Sequence, residues 1–292
     1  MRVLVLGRSG QVARSLTERA AEWPGLTLVC AGRPELDLAE AGSAERLIHA
    51  FVPDLVINAA AYTAVDQAED EPETAFRVNA DAAGEAAAAA RAQGAGLIHL
   101  STDYVFDGRA SEPYREDAPT SPLSVYGRSK LAGEEQARSA HPDAMVLRTS
   151  WVFSPFGRNF VKSIAAAAKE RDRLTVVDDQ HGSPTSALDL AGAILAIADG
   201  WVRGETGARG QTYHLAGAGS ASWLELALQV MAECRKLGRP AAEVDPISTS
   251  QWPAKAVRPA YSVLDCTRIE RELGMSLPDW RSSVARTVER LA

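Results

Sequence analysis

Cysteine is scarce in this chain. Cys30, Cys234 and Cys266 are three thiols in 292 residues, widely spaced and without a CxxC pair. An odd, scattered set excludes a disulfide framework or structural zinc site as an organising feature and fits a reducing cytoplasm. Basic charge is also in deficit: 31 Lys plus Arg face 38 Asp plus Glu, giving a formal net charge of −7 and a pI near 5.4. Such acidity argues against a nucleic-acid partner, because neutralising phosphates needs a basic surface. No apolar run approaches the roughly 18–20 residues of a bilayer span, so no membrane partner is expected. The four apolar residues Val3–Leu6 are too few for a secretory core. Five histidines (His49, His99, His141, His181, His214) show no metal-ligand spacing and read as structural or solvated. Internal repeats are absent.

What is present is ordinary globular composition, 46% hydrophobic and 24% charged, long enough for one large α/β domain or two interleaved ones. Short apolar runs at Arg2–Leu6, Leu26–Ala31, Asp54–Asn58, Gly96–Ser101 and Ala144–Thr149 alternate with helical stretches at Gln11–Glu22, Ser43–Phe51, Pro72–Ala92 and Val125–Arg138. Strands without polar alternation are buried on both faces, as in a parallel sheet. Strand–helix–strand alternation with short links predicts right-handed crossovers and an α/β fold, a doubly wound parallel Rossmann sheet. After about Trp151 the rhythm loosens. Helices are expected at Asn159–Arg171, Ala187–Asp199, Trp223–Leu237 and Asp279–Leu291, short strands at Leu174–Asp179 (LTVVDD) and Gln211–Ala216, a surface loop around Gly204–Gly210 and a Pro-rich stretch at Pro246–Pro259. The division this suggests is a dinucleotide-binding domain over 1–150 plus roughly 174–200. A smaller C-terminal α/β substrate lobe would take 151–173 and roughly 201–292.

Directly after the first strand stands Gly7-Arg8-Ser9-Gly10-Gln11-Val12-Ala13, opening a helix. Glycine lets backbone approach a phosphate, and the helix start supplies free N–H groups and partial positive charge. The GxxGxxA spacing is a variant of the dinucleotide fingerprint; an ordinary Gly-rich turn is the plainer alternative, which the flanking strand and helix disfavour. The second strand ends Cys30-Ala31-Gly32-Arg33, so an arginine stands where an NAD site usually carries an acid. With Arg8 this leans towards the 2′-phosphate of NADPH over NADH, unless both arginines are simply solvated. Asp37, next to Leu38, is a later acid available to the adenine edge.

Tyr126-Gly127-Arg128-Ser129-Lys130 places a phenol and an ammonium four residues apart on one helix face. An ammonium beside a phenol favours the phenolate, which an unperturbed tyrosine forms only near pH 10. Upstream, Ser101-Thr102-Asp103-Tyr104 ends the fourth strand, at the sheet edge where doubly wound folds place ligands. Two further patterns mislead. Gly217-Ala218-Gly219 mimics a second dinucleotide loop but reads as a turn, and Asp178-Asp179 mimics a carboxylate pair although adjacent extended residues point apart.

Together the GxxGxxA loop, NAAAYTAVDQAE (58–69), STDYVFDG (101–108), SPLSVYGRSKLAGE (121–134), RTSWVF (148–153), DDQHGSPT (178–185) and RPAYSVLD (258–265) resemble the extended short-chain dehydrogenase/reductase family. Within it they resemble the branch that completes dTDP-L-rhamnose. The resemblance runs in order over nearly the whole chain. It implies NAD(P)H-dependent reduction of the 4-keto group of dTDP-4-dehydro-6-deoxy-L-mannose. By position it implies that Thr102, Tyr126 and Lys130 are catalytic. Tyr126 would donate the proton, Thr102 would hold the developing oxyanion, and Lys130 would tune Tyr126 and hold the nicotinamide ribose. It further implies cofactor contacts from Gly7, Arg8, Ser9, Gly10, Gln11, Val12, Arg33, Asp37, Leu38, Ala59, Ala60, Ala61, Tyr62, Thr63 and Asn79. Thr63, Val65, Asp103, Tyr104 and Trp151 would line the sugar pocket, and Arg258 would meet the nucleotide phosphates.

Dehydratase relatives carry a glutamate where Tyr104 stands, so reduction is favoured over water elimination. Some members bind Mg2+ between subunits through two glutamates. Ser15 and Leu188 occupy those positions here, which argues against a magnesium-bridged dimer and leaves monomer or homodimer open. The readings still open beside the leading one are a 4-ketoreductase or epimerase of another nucleotide deoxysugar, and a non-catalytic NADP-binding regulator.

Overall fold

Val3 and Val5 are buried on one side of the first strand and Leu4 and Leu6 on the other, and each pair belongs to a separate core. That two-sided burial is what a continuous apolar strand demands. In the computed structural model, which describes residues 1–204 and 207–291, these strands form one six-stranded sheet. Its members are β1 (Arg2–Leu6), β2 (Thr27–Ala31), β3 (Leu55–Asn58), β4 (Gly96–Thr102), β5 (Met145–Thr149) and the strand Thr212–His214. Their order is β2-β1-β3-β4-β5 followed by Thr212–His214, with every neighbouring pair parallel. Helices cover both faces. Leu16 of helix Gln11–Arg19 and Leu190 and Ile194 of helix Ala187–Val202 pack on one. Ile48, Ala86 and Ala137, from the helices at 43–51, 82–92 and 125–140, pack on the other. The order reverses between β1 and β3, so the carboxyl ends of those strands form the switch point at which such sheets bind ligands.

A third core unites Phe153, of the short strand Val152–Phe153, with Val161, Leu226, Met231, Trp280 and Val284, from the helices Phe160–Ala167, Trp223–Lys236 and Trp280–Glu289. The expected division of residues is redrawn at two places. Arg173–Val177 pairs with Glu243–Ile247 in a separate two-stranded parallel sheet, whereas Thr212–His214 is a main-sheet strand. Both segments are strands where the sequence places them, but a short apolar run does not say which sheet it joins, and the first pairing spans some seventy residues. β2 also differs from expectation. As an edge strand it alternates exposed and part-buried residues before Ala31. The long helix expected over Pro72–Ala92 is interrupted by a π-helical turn at Arg77–Asp81, a feature frequent at functional sites. Of the stretch Gly204–Gly210, residues 205 and 206 lie outside the described residues. No helix among the described residues is long and apolar enough to cross a membrane.

Candidate active site

β4 is buried along its whole length and delivers Thr102 and Asp103 to the carboxyl edge of the sheet. The Thr102 hydroxyl donates to Asp103 Oδ1 at 3.0 Å and accepts from the Tyr104 N–H at 3.2 Å. Tyr126 and Lys130 arrive on the helix Val125–Ala140. Ser124 caps that helix by accepting from Gly127 N, and the Glu69 carboxylate accepts from Val125 N at 2.7 Å. A carboxylate on free N–H groups at a helix start is favourable, so Glu69 and Ser124 fix where the helix begins. The Thr102 and Tyr126 side chains are thereby brought next to each other, and the Tyr104 ring meets Tyr126 edge-on at 5.4 Å.

The electrostatics differ from the expectation of an ammonium lowering the phenol. Burial pushes Tyr126 up to about 12, opposed by the Thr102 hydrogen bond and reinforced by the Asp103 charge. Lys130, 3% exposed, gives its ammonium to the Leu100 carbonyl of β4 at 2.6 Å. Burial pushes it down to about 8, against the upward pull of Glu134. Burial likewise pushes Asp103 up to about 6, opposed by hydrogen bonds from Ser262, Thr102 and Ser150.

Behind Lys130 lies a buried ion pair that sequence reasoning missed. Glu134 accepts from Arg148 Nε at 2.9 Å and Nη2 at 2.8 Å, and from Ser101 Oγ at 2.5 Å. This bidentate pair ties the Tyr126 helix to β5 and β4. The only hint in the sequence is that Glu134 stands one helical turn beyond Lys130.

At the switch point Gly7 adopts φ +122°, a conformation that only glycine takes readily, and a Cβ there would lie in van der Waals contact with the Ala59–Ala60 backbone at 3.4 Å. Helix Gln11–Arg19 starts at Gly10 with no side-chain cap and no acid in its first turn, and a Cβ at Gly10 would meet open space. Unsatisfied N–H groups above such a cradle suit a pyrophosphate, so this loop fits a dinucleotide. Beside it Arg8 bonds Glu35 Oε2 at 2.5 Å and the Arg33 carbonyl at 3.3 Å. Arg33, 80% exposed at its side chain, pairs with Asp37 at 3.3 Å. Exposed pairs like these are worth at most about 1 kcal/mol, so a phosphate can replace either carboxylate. Leu38 lies in the core beneath this corner, and Val12 packs against the opposite core.

Three of the residues expected to touch ligands also bond within the protein. The Asn79 amide accepts from Tyr62 N at 2.7 Å and donates to the Tyr62 carbonyl and Ser129 Oγ. It therefore braces the loop of Ala59, Ala60, Ala61, Tyr62 and Thr63 rather than reaching into it. The Gln11 side chain donates to the Val152 carbonyl and accepts from Ser154 and Asn159, linking the first helix to the segment after β5. Its backbone N–H stays with the helix start. Arg258 bonds Asp66 Oδ2 at 2.8 Å and Oδ1 at 3.3 Å, and hydrogen-bonds the Tyr104 side chain. Asp66 Oδ1 also accepts from Lys255 N and Ala256 N, and Lys255 pairs with Asp70. A loop some 190 residues away is thereby clasped against the helix Val65–Ala68, next to Thr63 and Val65.

Trp151 leaves β5 with φ +45°, an unusual backbone for a bulky residue, costing on the order of 1–3 kcal/mol unless its surroundings impose it. The preceding Ser150 donates to Asp103 Oδ2 at 3.2 Å, so the turn that presents Trp151 is tied to the residue beside Thr102. The two misleading patterns fall elsewhere. Gly217 and Gly219 lie packed against Pro184 and Trp280, and Ala218 bridges to Asp279. Asp178 accepts from Ser222 and Asp179 from Thr249, in separate contacts. Among the described residues no group of three or more His, Cys, Asp or Glu is arranged to hold a metal ion, and Ser15 is buried where its helix packs on the sheet.

A phosphate-ready loop after β1 and a Thr–Tyr–Lys set at the end of β4, on one parallel sheet, define a short-chain dehydrogenase/reductase. The model of the RmlD substrate binding domain matches residues 1–292. A dTDP-4-dehydrorhamnose reductase of Sinorhizobium fredii is 43% identical over 99% of this chain and 97% of its own, and that of Escherichia coli 36% over 100% and 98%. The crystal structure of a dTDP-4-dehydrorhamnose reductase from Clostridium acetobutylicum superposes with TM-score 0.91 at 34% identity, covering 99% of each chain. That of the Bacillus anthracis enzyme in complex with NADP gives 0.89 at 33%, covering 98% of each. The chain belongs to the RmlD family, whose named relatives here are dTDP-4-dehydrorhamnose reductases.

Proposed function

We propose that this protein reduces the 4-keto group of dTDP-4-dehydro-6-deoxy-L-mannose to the alcohol of dTDP-L-rhamnose, using NADPH or NADH. The observation that carries the reading is the Tyr126 phenol, placed beside Thr102 against the Tyr104 ring and held protonated by burial far above neutral pH. A ketone reduction consumes one hydride and one proton. NAD(P)H, when bound along Gly7–Gly10, supplies the hydride. Tyr126 supplies the proton to the carbonyl oxygen, which a phenol titrating near 12 can do because it is fully protonated at pH 7. Thr102 hydrogen-bonds the same oxygen as negative charge develops, an interaction stronger in the transition state than before it. Lys130, anchored on Leu100, holds the ribose hydroxyls beside Tyr126. Asp103 and Tyr104 line the sugar together with Thr63, Val65 and Trp151, and Arg258 exchanges part of its Asp66 pairing for a nucleotide phosphate. The adenosine end rests on Arg8 and Arg33, with Asp37 at the adenine.

The enzyme acts in the reducing cytoplasm as a monomer or homodimer, with no nucleic-acid or membrane partner; its three cysteines are free thiols. The test is loss of NADPH absorbance on adding dTDP-4-dehydro-6-deoxy-L-mannose to the purified protein. Stoichiometric NADPH consumption with formation of dTDP-L-rhamnose is expected. Consumption with other 4-keto nucleotide sugars but not this one would overturn the substrate assignment.

A further inference from the structure

The strained Trp151 is stacked on one face and approached closely along its Nε1, Cε2 and Cζ2 atoms by residues of one short strand pairing and the residue after it. His181–Gly182 pairs antiparallel with Ala221–Ser222, and the next residue is Trp223. Trp223 stacks on Trp151 with ring centroids 3.5 Å apart and planes 4° from parallel. At Gly182 a Cβ would stand 2.4 Å from the Trp151 ring, so any side chain there would push the indole out of its place. Trp223 is itself fixed. Its Nε1 donates to Gln180 Oε1 at 3.2 Å, Gln180 donates to Thr249, and the Phe160 ring packs 4.7 Å away. The Trp151 carbonyl accepts from Thr185 N, closing the turn.

We propose that Trp223 is a positioning residue for the nucleotide-sugar substrate: by covering the back of the Trp151 indole it fixes the front face as one wall of the sugar pocket. Two parallel rings stacked in van der Waals contact leave each other one face only, and Trp151 remains part-exposed. A rigid aromatic face presented without rotamer freedom binds a sugar ring at lower entropic cost than a mobile one. The same turn carries Ser150, bonded to Asp103, so the wall is registered against the residue next to Thr102. This inference rests on Trp151 lining the sugar pocket, and the test separates the two.

The experiment is steady-state kinetics with NADPH and dTDP-4-dehydro-6-deoxy-L-mannose on Trp151→Ala, Trp223→Ala, Trp223→Phe and the double alanine variant, with NADPH affinity by titration. Trp223→Ala should raise KM for the sugar about tenfold, equivalent to about 1.4 kcal/mol of binding, with kcat and NADPH affinity within about threefold. Trp223→Phe, which keeps an aromatic face and folds readily, should show a smaller rise. The double variant should be no worse in sugar KM than Trp151→Ala alone, because the two residues act as one unit. Circular dichroism from the coupled indoles should vanish in both single alanine variants. A sugar KM raised by Trp151→Ala but unchanged by Trp223→Ala and Trp223→Phe overturns the positioning role. Equal losses of sugar KM, kcat and NADPH affinity would also overturn it, by showing a general structural part. A sugar KM unmoved by Trp151→Ala sinks the wall itself, and this inference with it.

Discussion

At the β4–β5 end of the sheet's carboxyl edge, Thr102, Lys130, Glu134 and Arg148 are buried and their polar atoms are bonded to one another or to backbone. At the β1–β2 end, Arg8, Arg33, Glu35 and Asp37 form ion pairs that mostly face solvent. Both ends would meet the same cofactor, yet one is rigid and desolvated and the other loose and wet. Chemistry needs donors fixed before the reaction, in surroundings where charge interactions are strong. Recognition of a phosphate needs only cations that can trade one anion for another. The contrast teaches that in this protein precision is concentrated where a proton moves.

That contrast makes unequal predictions at its two ends. The largest effect is expected from Arg148→Met, which leaves the Glu134 carboxylate buried without its main partner. Breaking a buried pair from one side typically costs about 3–5 kcal/mol, and urea unfolding should show a loss of that order, largely recovered in the Arg148→Met/Glu134→Gln double variant. Removing Arg8 should cost less than about 1 kcal/mol in the same assay, since its pair is exposed. Equal losses at both ends would break the comparison.

A second, intermediate effect concerns pH. Burial lowers Lys130 to about 8, so its ammonium is present below that pH and lost as pH rises through it. With Tyr126 held near 12, the basic limb of kcat/KM should fall away above about pH 8 with the loss of one proton. A profile flat to pH 10 would show that the buried ammonium is not needed. The smallest effect is expected from Arg33→Ala, which should raise KM for NADPH several-fold, an estimate scaled to about 1 kcal/mol for an exposed ion pair. KM for NADH should scarcely move; equal shifts for both cofactors would remove the 2′-phosphate role.

Much of this was legible in the residues, and the exceptions share a cause. The sheet strands β1, β3, β4 and β5 are continuous apolar runs, so local composition reveals them, and GxxGxxA, STDY and YGRSK stand at their ends. What escaped depends on distant partners. The strands at Thr212–His214 and Arg173–Val177 were expected, but not that the first joins β5 in the main sheet or that Glu243–Ile247 draws the second away. The side chains of Gln11 and Asn79, expected at the cofactor, also bond Ser154 and Tyr62, partners that no local pattern announces. Lys130 looks set to lower Tyr126, but spacing on a helix cannot show that burial outweighs a charge or that Leu100 captures the ammonium. Asp66 and Arg258 meet across 192 positions, which no local pattern announces.

The central claim is that Tyr126 delivers the proton from a site otherwise fully formed. It is tested most directly by Tyr126→Phe, comparing single-turnover NADPH oxidation in the presence of the 4-keto sugar with NADPH affinity by titration. The account predicts a rate lower by about 10²- to 10⁴-fold, the usual contribution of a positioned general acid, with NADPH affinity essentially unchanged. A Tyr126→Phe protein that oxidises NADPH at close to the parent rate would contradict it.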